Sequence, residues 1–102
     1  MIPYTYCFIR KDLPRHYQII QACHATQEIT KTVTQPDGVS HFILFEVRDE
    51  VQLTEVKMKL DEKGIGSHMF HEPDHGTGYT SICTEPVVGK DRNFFRRFKM
   101  FA

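Results

Sequence analysis

The sequence predicts an α/β domain: a single four-stranded mixed β-sheet flanked by helices on both faces, in the order β-α-β-α-β-β-α. Three observations carry this. Two strand-like runs, Tyr4 to Ile9 and Phe42 to Val47, are each followed by an apolar pattern with a spacing of three or four residues. Strand, helix, strand, helix in that order implies right-handed crossovers and parallel pairing of the first two strands. Two further short strand-like runs then flank a Gly/Pro loop, as in a hairpin.

Tyr4 to Ile9 is rich in aromatic and β-branched residues with little polar alternation, as expected of a central strand covered on both faces. The charged turn Arg10-Lys11-Asp12-Leu13 follows, and Pro14 suits a helix start. Apolar residues at Ile19, Ala22, Ala25, Ile29 and Val33 predict a helix over about 15–33. Its adjoining face carries Tyr17, Gln21, His24 and Glu28, which places Gln21 and His24 one turn apart, beside the core stripe. Thr34 to Ser40 reads as a turn, and Phe42 to Val47 as a second buried strand. Asp49 followed by Gln52 is a capping-box variant, and Leu53, Val56 and Leu60 mark a helix over about 50–63 that Gly64 stops. Gly66 to His71 and Tyr79 to Thr84 are short strands joined by the loop Glu72 to Gly78. Residues 90–98 predict a last amphipathic helix with Phe94 and Phe98 inward and Arg92, Arg96 and Arg97 toward solvent.

The 102 residues suit one domain, 1–102. Three separated cysteines, Cys7, Cys23 and Cys83, without a CxxC pair, argue against a disulfide framework and a zinc knuckle. No apolar run approaches a membrane span of roughly 20 residues, and no signal-peptide pattern opens the chain, so a reducing cytoplasm is the expected compartment and no membrane partner is expected. Net charge is zero but uneven. Residues 1–35 hold four basic and two acidic groups, residues 36–89 four and ten, and residues 90–102 five and one, giving +2, −6 and +4. A global basic field for nucleic acid is absent. A polyanion would need a local patch where the two basic ends meet, and the alternative is an ordinary solvated surface.

Several side chains have a chemical and a plain structural reading. His24 could act as a general base, or be a helix histidine tied to Gln21 or Glu28. Asp74 could activate water, or cap its own Gly/Pro turn. Thr77 and Thr80 could orient a water or bind a carbonyl, or serve as strand formers. His68, His71 and His75 near Glu72 and Asp74 raise a metal site, but His68 and His71 are an odd number of residues apart and the spacing matches no familiar zinc pattern. Without a Walker loop, a GxGxxG or a GxSxG elbow, neither nucleotide-driven nor serine-esterase chemistry is indicated, and no cofactor is expected. The segment Arg92 to Lys99 interleaves basic and aromatic residues, suiting either a phosphate backbone or a phenylalanine core.

Three segments combine into a resemblance. Arg10-Lys11-Asp12-Leu13, Gln21-Ala22-Cys23-His24-Ala25, and Asp74-His75-Gly76 with Thr80 opening an apolar strand together resemble the type 2 peptidyl-tRNA hydrolases, whose pattern is R-[KN]-D-L, Q-x-x-H-A and D-A-G-x-T. Phe70 to Gly76 and Pro86 to Phe98 look closer to a compact branch of that superfamily. The resemblance implies a metal-independent hydrolase of the ester joining a peptide to tRNA, commonly a homodimer. It implies His24, Asp74 and Thr80 as active-site positions, with Gln21, Arg10 and Asp12 on its motif positions; Lys11 and Arg15 could supply charge nearby, Thr77 is a candidate for the family's first threonine, and these six are expected toward substrate. The alternative is a tRNA- or protein-binding module of the same fold. Two features depart from the family pattern. The segment before the helix is two residues shorter, with Tyr17 or Gln18 in the register of a family lysine, and the loop after Asp74 is shortened.

Overall fold

The computed structural model describes all residues, Met1–Ala102. Strand β1 (Tyr4–Arg10) leads to helix α1 (Arg15–Ile29), strand β2 (His41–Val47), helix α2 (Glu50–Glu62) and the strands β3 (Ser67–Glu72) and β4 (Gly78–Thr84). A 3-10 helix, Gly89–Arg97, and a short strand β5 (Lys99–Met100) follow. The sheet is mixed, in the order β3-β4-β1-β2-β5. β1 and β2 pair in parallel, as the crossover argument requires, and the other pairs are antiparallel.

The sheet has five strands, one more than the sequence predicts. Once Phe98 ends the 3-10 helix in an extended conformation, Lys99 and Met100 pair with Glu46 and Phe45. A two-residue strand carries no periodicity to read.

Helices cover both faces. Cys7 and Cys83, directly opposite each other on β1 and β4, pack with Ala22, Ala25 and Ile29 of α1. On the other face Tyr6, Phe8, Phe45, Val47 and Ile82 pack with Leu53, Val56 and Leu60 of α2 and with Phe94 and Phe95. No helix is long and apolar enough to cross a membrane.

The last helix is 3-10 rather than α. Residues three apart then eclipse, so Gly89, Arg92 and Phe95 share a side. Phe95 is therefore buried with Phe94, while Phe98 packs against the core only in part.

Helix α1 stops at Ile29 instead of continuing to Val33. The hydroxyls of Thr30 and Thr32 donate to the carbonyls of Gln27 and Ile29, competing with further helical bonds in a β-branched run. Its buried side also differs from the predicted stripe. Gln18 and Gln21 lie inward with Ala22, Ala25 and Ile29, whereas Ile19 is 55% exposed. Gln18 is drawn in because its amide donates to the carbonyls of Lys11 (3.1 Å) and Leu13 (2.7 Å), which the tight turn leaves without partners.

The start of α2 follows its sequence signal. Asp49 accepts from the Gln52 N–H at 2.9 Å, while Gln52 Oε1 accepts from the Arg48 N–H, so the returning bond falls one residue before the cap. Asp49→Ala is expected to cost about 1 kcal/mol, read as a fall of roughly 4–8 °C in a thermal melt.

Candidate functional site

The carboxyl ends of β1 and β2, the loop between β3 and β4 and the first turns of α1 and α2 meet at one end of the sheet. That is where an open α/β sheet presents ligand-binding groups. Arg10, the last residue of β1, is consumed in building this end. Its guanidinium grips Asp12 through two bonds (2.9 and 2.8 Å) and donates to the carbonyls of Thr77 (2.7 Å) and Tyr79 (3.0 Å). Arg10 and Asp12 therefore fix the loop, rather than standing free for a substrate. The Arg10 fork also holds the Asp12 carboxyl below the usual carboxylate range.

Glu50, in the first turn of α2, completes the clamp by accepting the Tyr79 N–H at 2.7 Å. Gly78 lies beneath it with φ of +81°, and a Cβ there would collide with the Glu50 carboxylate. The left-handed backbone at this position favours glycine, and a Cβ here would push aside the Glu50 carboxylate that holds Tyr79.

Within the loop, Asp74 accepts through its carbonyl from both the N–H and the hydroxyl of Thr77 (3.3 and 3.2 Å). Thr77 is thus a turn residue. The Asp74 N–H donates to Glu72 (3.2 Å), and its own carboxylate is exposed, with neither a hydrogen bond nor an ion pair to the protein. His75 takes the left-handed conformation, φ 59°, turning the chain behind Asp74.

Gln21 joins the helix to both strands of the hairpin. Its amide donates to Glu72 Oε2 (2.7 Å), its amide oxygen accepts from the Thr80 hydroxyl (2.7 Å), and its backbone carbonyl accepts from Ser81 (2.6 Å). Gln21 and Thr80 are buried, so Gln21 belongs to the core face rather than beside it, and the Thr80 hydroxyl is committed to Gln21. One turn on, His24 lies half-buried with its ring parallel to that of Phe70, centroids 4.7 Å apart. Of His24, Asp74 and Thr80, the three expected active-site positions, His24 is half-buried and Asp74 exposed, while the Glu72 carboxylate is held low chiefly by the Gln21 amide.

Glu72 and Glu50 are the residues that sequence reasoning missed. Glu72 entered only as a neighbour of histidines, and Glu50 only as part of a helix start. The usable signal for Glu72 was its place at a strand end immediately before Pro73 and two residues from Asp74.

Glu72, Glu46 and Asp12 are all held below their ordinary titration range, chiefly by the Gln21 amide, Lys11 and Arg10 respectively. A carboxylate depressed in the folded state contributes stability that is present above its unfolded value, roughly 4, and is lost as pH falls through the folded value. Thermal melts should therefore vary little between about pH 7 and 5 and fall below about pH 4. Glu72→Gln, whose amide oxygen can still accept from Gln21, should remove part of that acid-side fall.

The two basic ends do converge. Lys11 and Lys99 both reach Glu46 Oε2, at 3.1 and 3.5 Å, and Arg15 donates to the carbonyl of Ala102 (3.0 Å) while lying over the Phe101 ring. A hollow of about 290 Å³ beside them is lined by Lys11, Arg48, Arg97 and Lys99, with Glu46 as its one acid. No three or more His, Cys, Asp or Glu side chains are grouped so as to hold a metal ion.

No family model and no curated protein matches the chain. Among solved structures it is similar to a protein of unknown function, Atu0240, from Agrobacterium tumefaciens strain C58. The TM-score is 0.73 at 10% sequence identity, over 100% of this chain and 99% of that one. At that identity the likeness is one of fold.

Proposed function

We propose that this protein is a hydrolase of peptidyl-tRNA, or of a related ester on RNA, in which side chains rather than a metal activate the water. The observation that carries the reading is the exposed carboxylate of Asp74 at the sheet end where Lys11, Arg48, Arg97 and Lys99 line a basic hollow, with half-buried His24 one turn along α1 from Gln21. Ester cleavage needs a group to take a proton from water and a donor for the developing oxyanion. The free carboxylate of Asp74 suits the first task. His24, stacked on Phe70, suits the second or shares the first. The basic hollow supplies what an RNA backbone needs, charge without sequence reading. In this reading Thr80, Gln21, Arg10, Asp12 and Thr77 position the loop instead of touching substrate, and Lys11 and Arg15 contact the polyanion.

The compartment that fits is a reducing cytoplasm, where Cys7 and Cys83 stay free. A homodimer would use the outer side of α1, where Ile19 and Ile20 are 55% and 45% exposed.

A second reading, a tRNA- or protein-binding module without catalysis, is favoured by the sequestered Thr80 hydroxyl. The two separate in one assay. The hydrolase releases free tRNA from a peptidyl-tRNA. The module binds tRNA with affinity that falls steeply with salt and leaves the ester intact.

A further inference from the structure

The α2 face of the sheet carries a second groove, beside the basic hollow and sharing Phe98 with it, on the opposite face from His24. It lies between the 3-10 helix and β2 and β5, with a volume of about 350 Å³, within the range of roughly 300–1,000 Å³ typical of small-ligand clefts. Tyr6, Phe45 and Phe95 form its floor, their rings nearly parallel, with Tyr6 and Phe95 centroids 3.7 Å apart. Ile43 and Phe98 add apolar wall, and Met100, 62% exposed, closes one side with an adaptable thioether. Tyr6 and Phe45 belong to the α2 face of the sheet, whereas His24 rests on Phe70 on the α1 face.

The rim is cationic. Arg92, Asn93 and Arg96 line the groove and no carboxylate does. Arg92 is already held in place, its guanidinium 3.5 Å from the centre of the Tyr4 ring and its Nε donating to the Tyr6 hydroxyl (3.3 Å). A fixed guanidinium loses little side-chain freedom when it meets an anion. Arg96 is exposed, with neither a hydrogen bond nor an ion pair to the chain, so its guanidinium is free to meet an anion. Three residues separate the two on the 3-10 helix, and both line the same groove.

We propose that this groove is a nucleotide site: a planar base lies against the Phe98 and Met100 wall, and its phosphate is held by Arg92 and Arg96. Guanidiniums match phosphate oxygens in paired bonds, and an apolar wall of aromatic and thioether groups suits a base face. The Asn93 amide, with both donor and acceptor, suits a base edge. The proposal is independent of ester hydrolysis at the His24 and Asp74 end. A free mononucleotide and a nucleotide within an RNA strand share this chemistry.

The test is calorimetric titration of the intact protein with adenosine monophosphate, adenosine, inorganic phosphate and a short oligoadenylate, with the Met100 methyl resonance followed in parallel. Adenosine monophosphate is expected to bind saturably and shift the Met100 methyl. Adenosine and phosphate alone should each bind at least about tenfold more weakly, and Arg96→Glu, an exposed substitution that should leave the fold intact, should weaken the nucleotide by about tenfold or more. Arg92→Ala should do the same. Tighter binding of the oligoadenylate, equally lost in Arg96→Glu, assigns the groove to an RNA strand; equal or weaker binding assigns it to the free nucleotide. No saturable binding by the natural sequence, phosphate binding as tightly as the nucleotide, or nucleotide binding unchanged in Arg96→Glu would overturn the proposal.

Discussion

Replacing Gln21 by alanine is expected to destabilise the protein by about 3 kcal/mol and lower its melting temperature by roughly 12–24 °C, a loss out of proportion to one polar side chain. The cause is threefold. The Thr80 hydroxyl, fully buried, loses its acceptor; Glu72 loses the amide that favours its charged form; and the space of the side chain is left behind beneath the hairpin. Leaving one buried partner unsatisfied costs more than removing both. The double variant Gln21→Ala with Thr80→Val should therefore be less destabilised than the sum of the single ones, by about 1 kcal/mol in a denaturant cycle. Additive effects would show that the Gln21–Thr80 bond is not what holds the hairpin to the helix.

The second large effect concerns turnover. Asp74→Asn is expected to lower the rate on peptidyl-tRNA by about 10²–10³-fold, the range of a lost general base. Its stability should change by less than about 0.5 kcal/mol, since the carboxylate is exposed and makes no bond to the protein. His24→Ala should lower turnover comparably but also lose the Phe70 stack, worth about 1 kcal/mol. His24→Phe keeps a ring on Phe70 and removes only the proton-carrying nitrogens. A rate equally low in His24→Phe and His24→Ala would assign the loss to chemistry rather than packing.

The regular parts of this fold follow from local pattern. The crossover β1–α1–β2, the Asp49 cap and the Glu72 to Gly78 hairpin loop are each legible because a short window contains the period or turn chemistry that makes them. β5 and the 3-10 turn were not legible, because both depend on contacts distant in sequence: Met100 on Phe45, and the parallel rings of Tyr6 and Phe95. The same division runs through the site. His24 and Asp74 can be picked out by residue type and motif. The consumption of Arg10 by Thr77 and Tyr79, and of Thr80 by Gln21, is visible only when partners more than fifty positions apart come together. Inward Gln18 and Gln21 with outward Ile19 defeat a hydrophobic stripe argument, because a buried glutamine satisfied by carbonyls and a carboxylate can replace an apolar side chain at a helix–sheet contact.

The central claim is that the Asp74 and His24 end of the sheet cleaves an RNA-linked ester. It is tested most directly by incubating the natural protein and Asp74→Asn, side by side, with a peptidyl-tRNA at moderate salt and measuring free tRNA. Release by the natural protein, and its near-complete loss in Asp74→Asn with unchanged tRNA affinity, is the predicted result. An intact ester in the presence of bound natural protein, or equal release by both proteins, would contradict it.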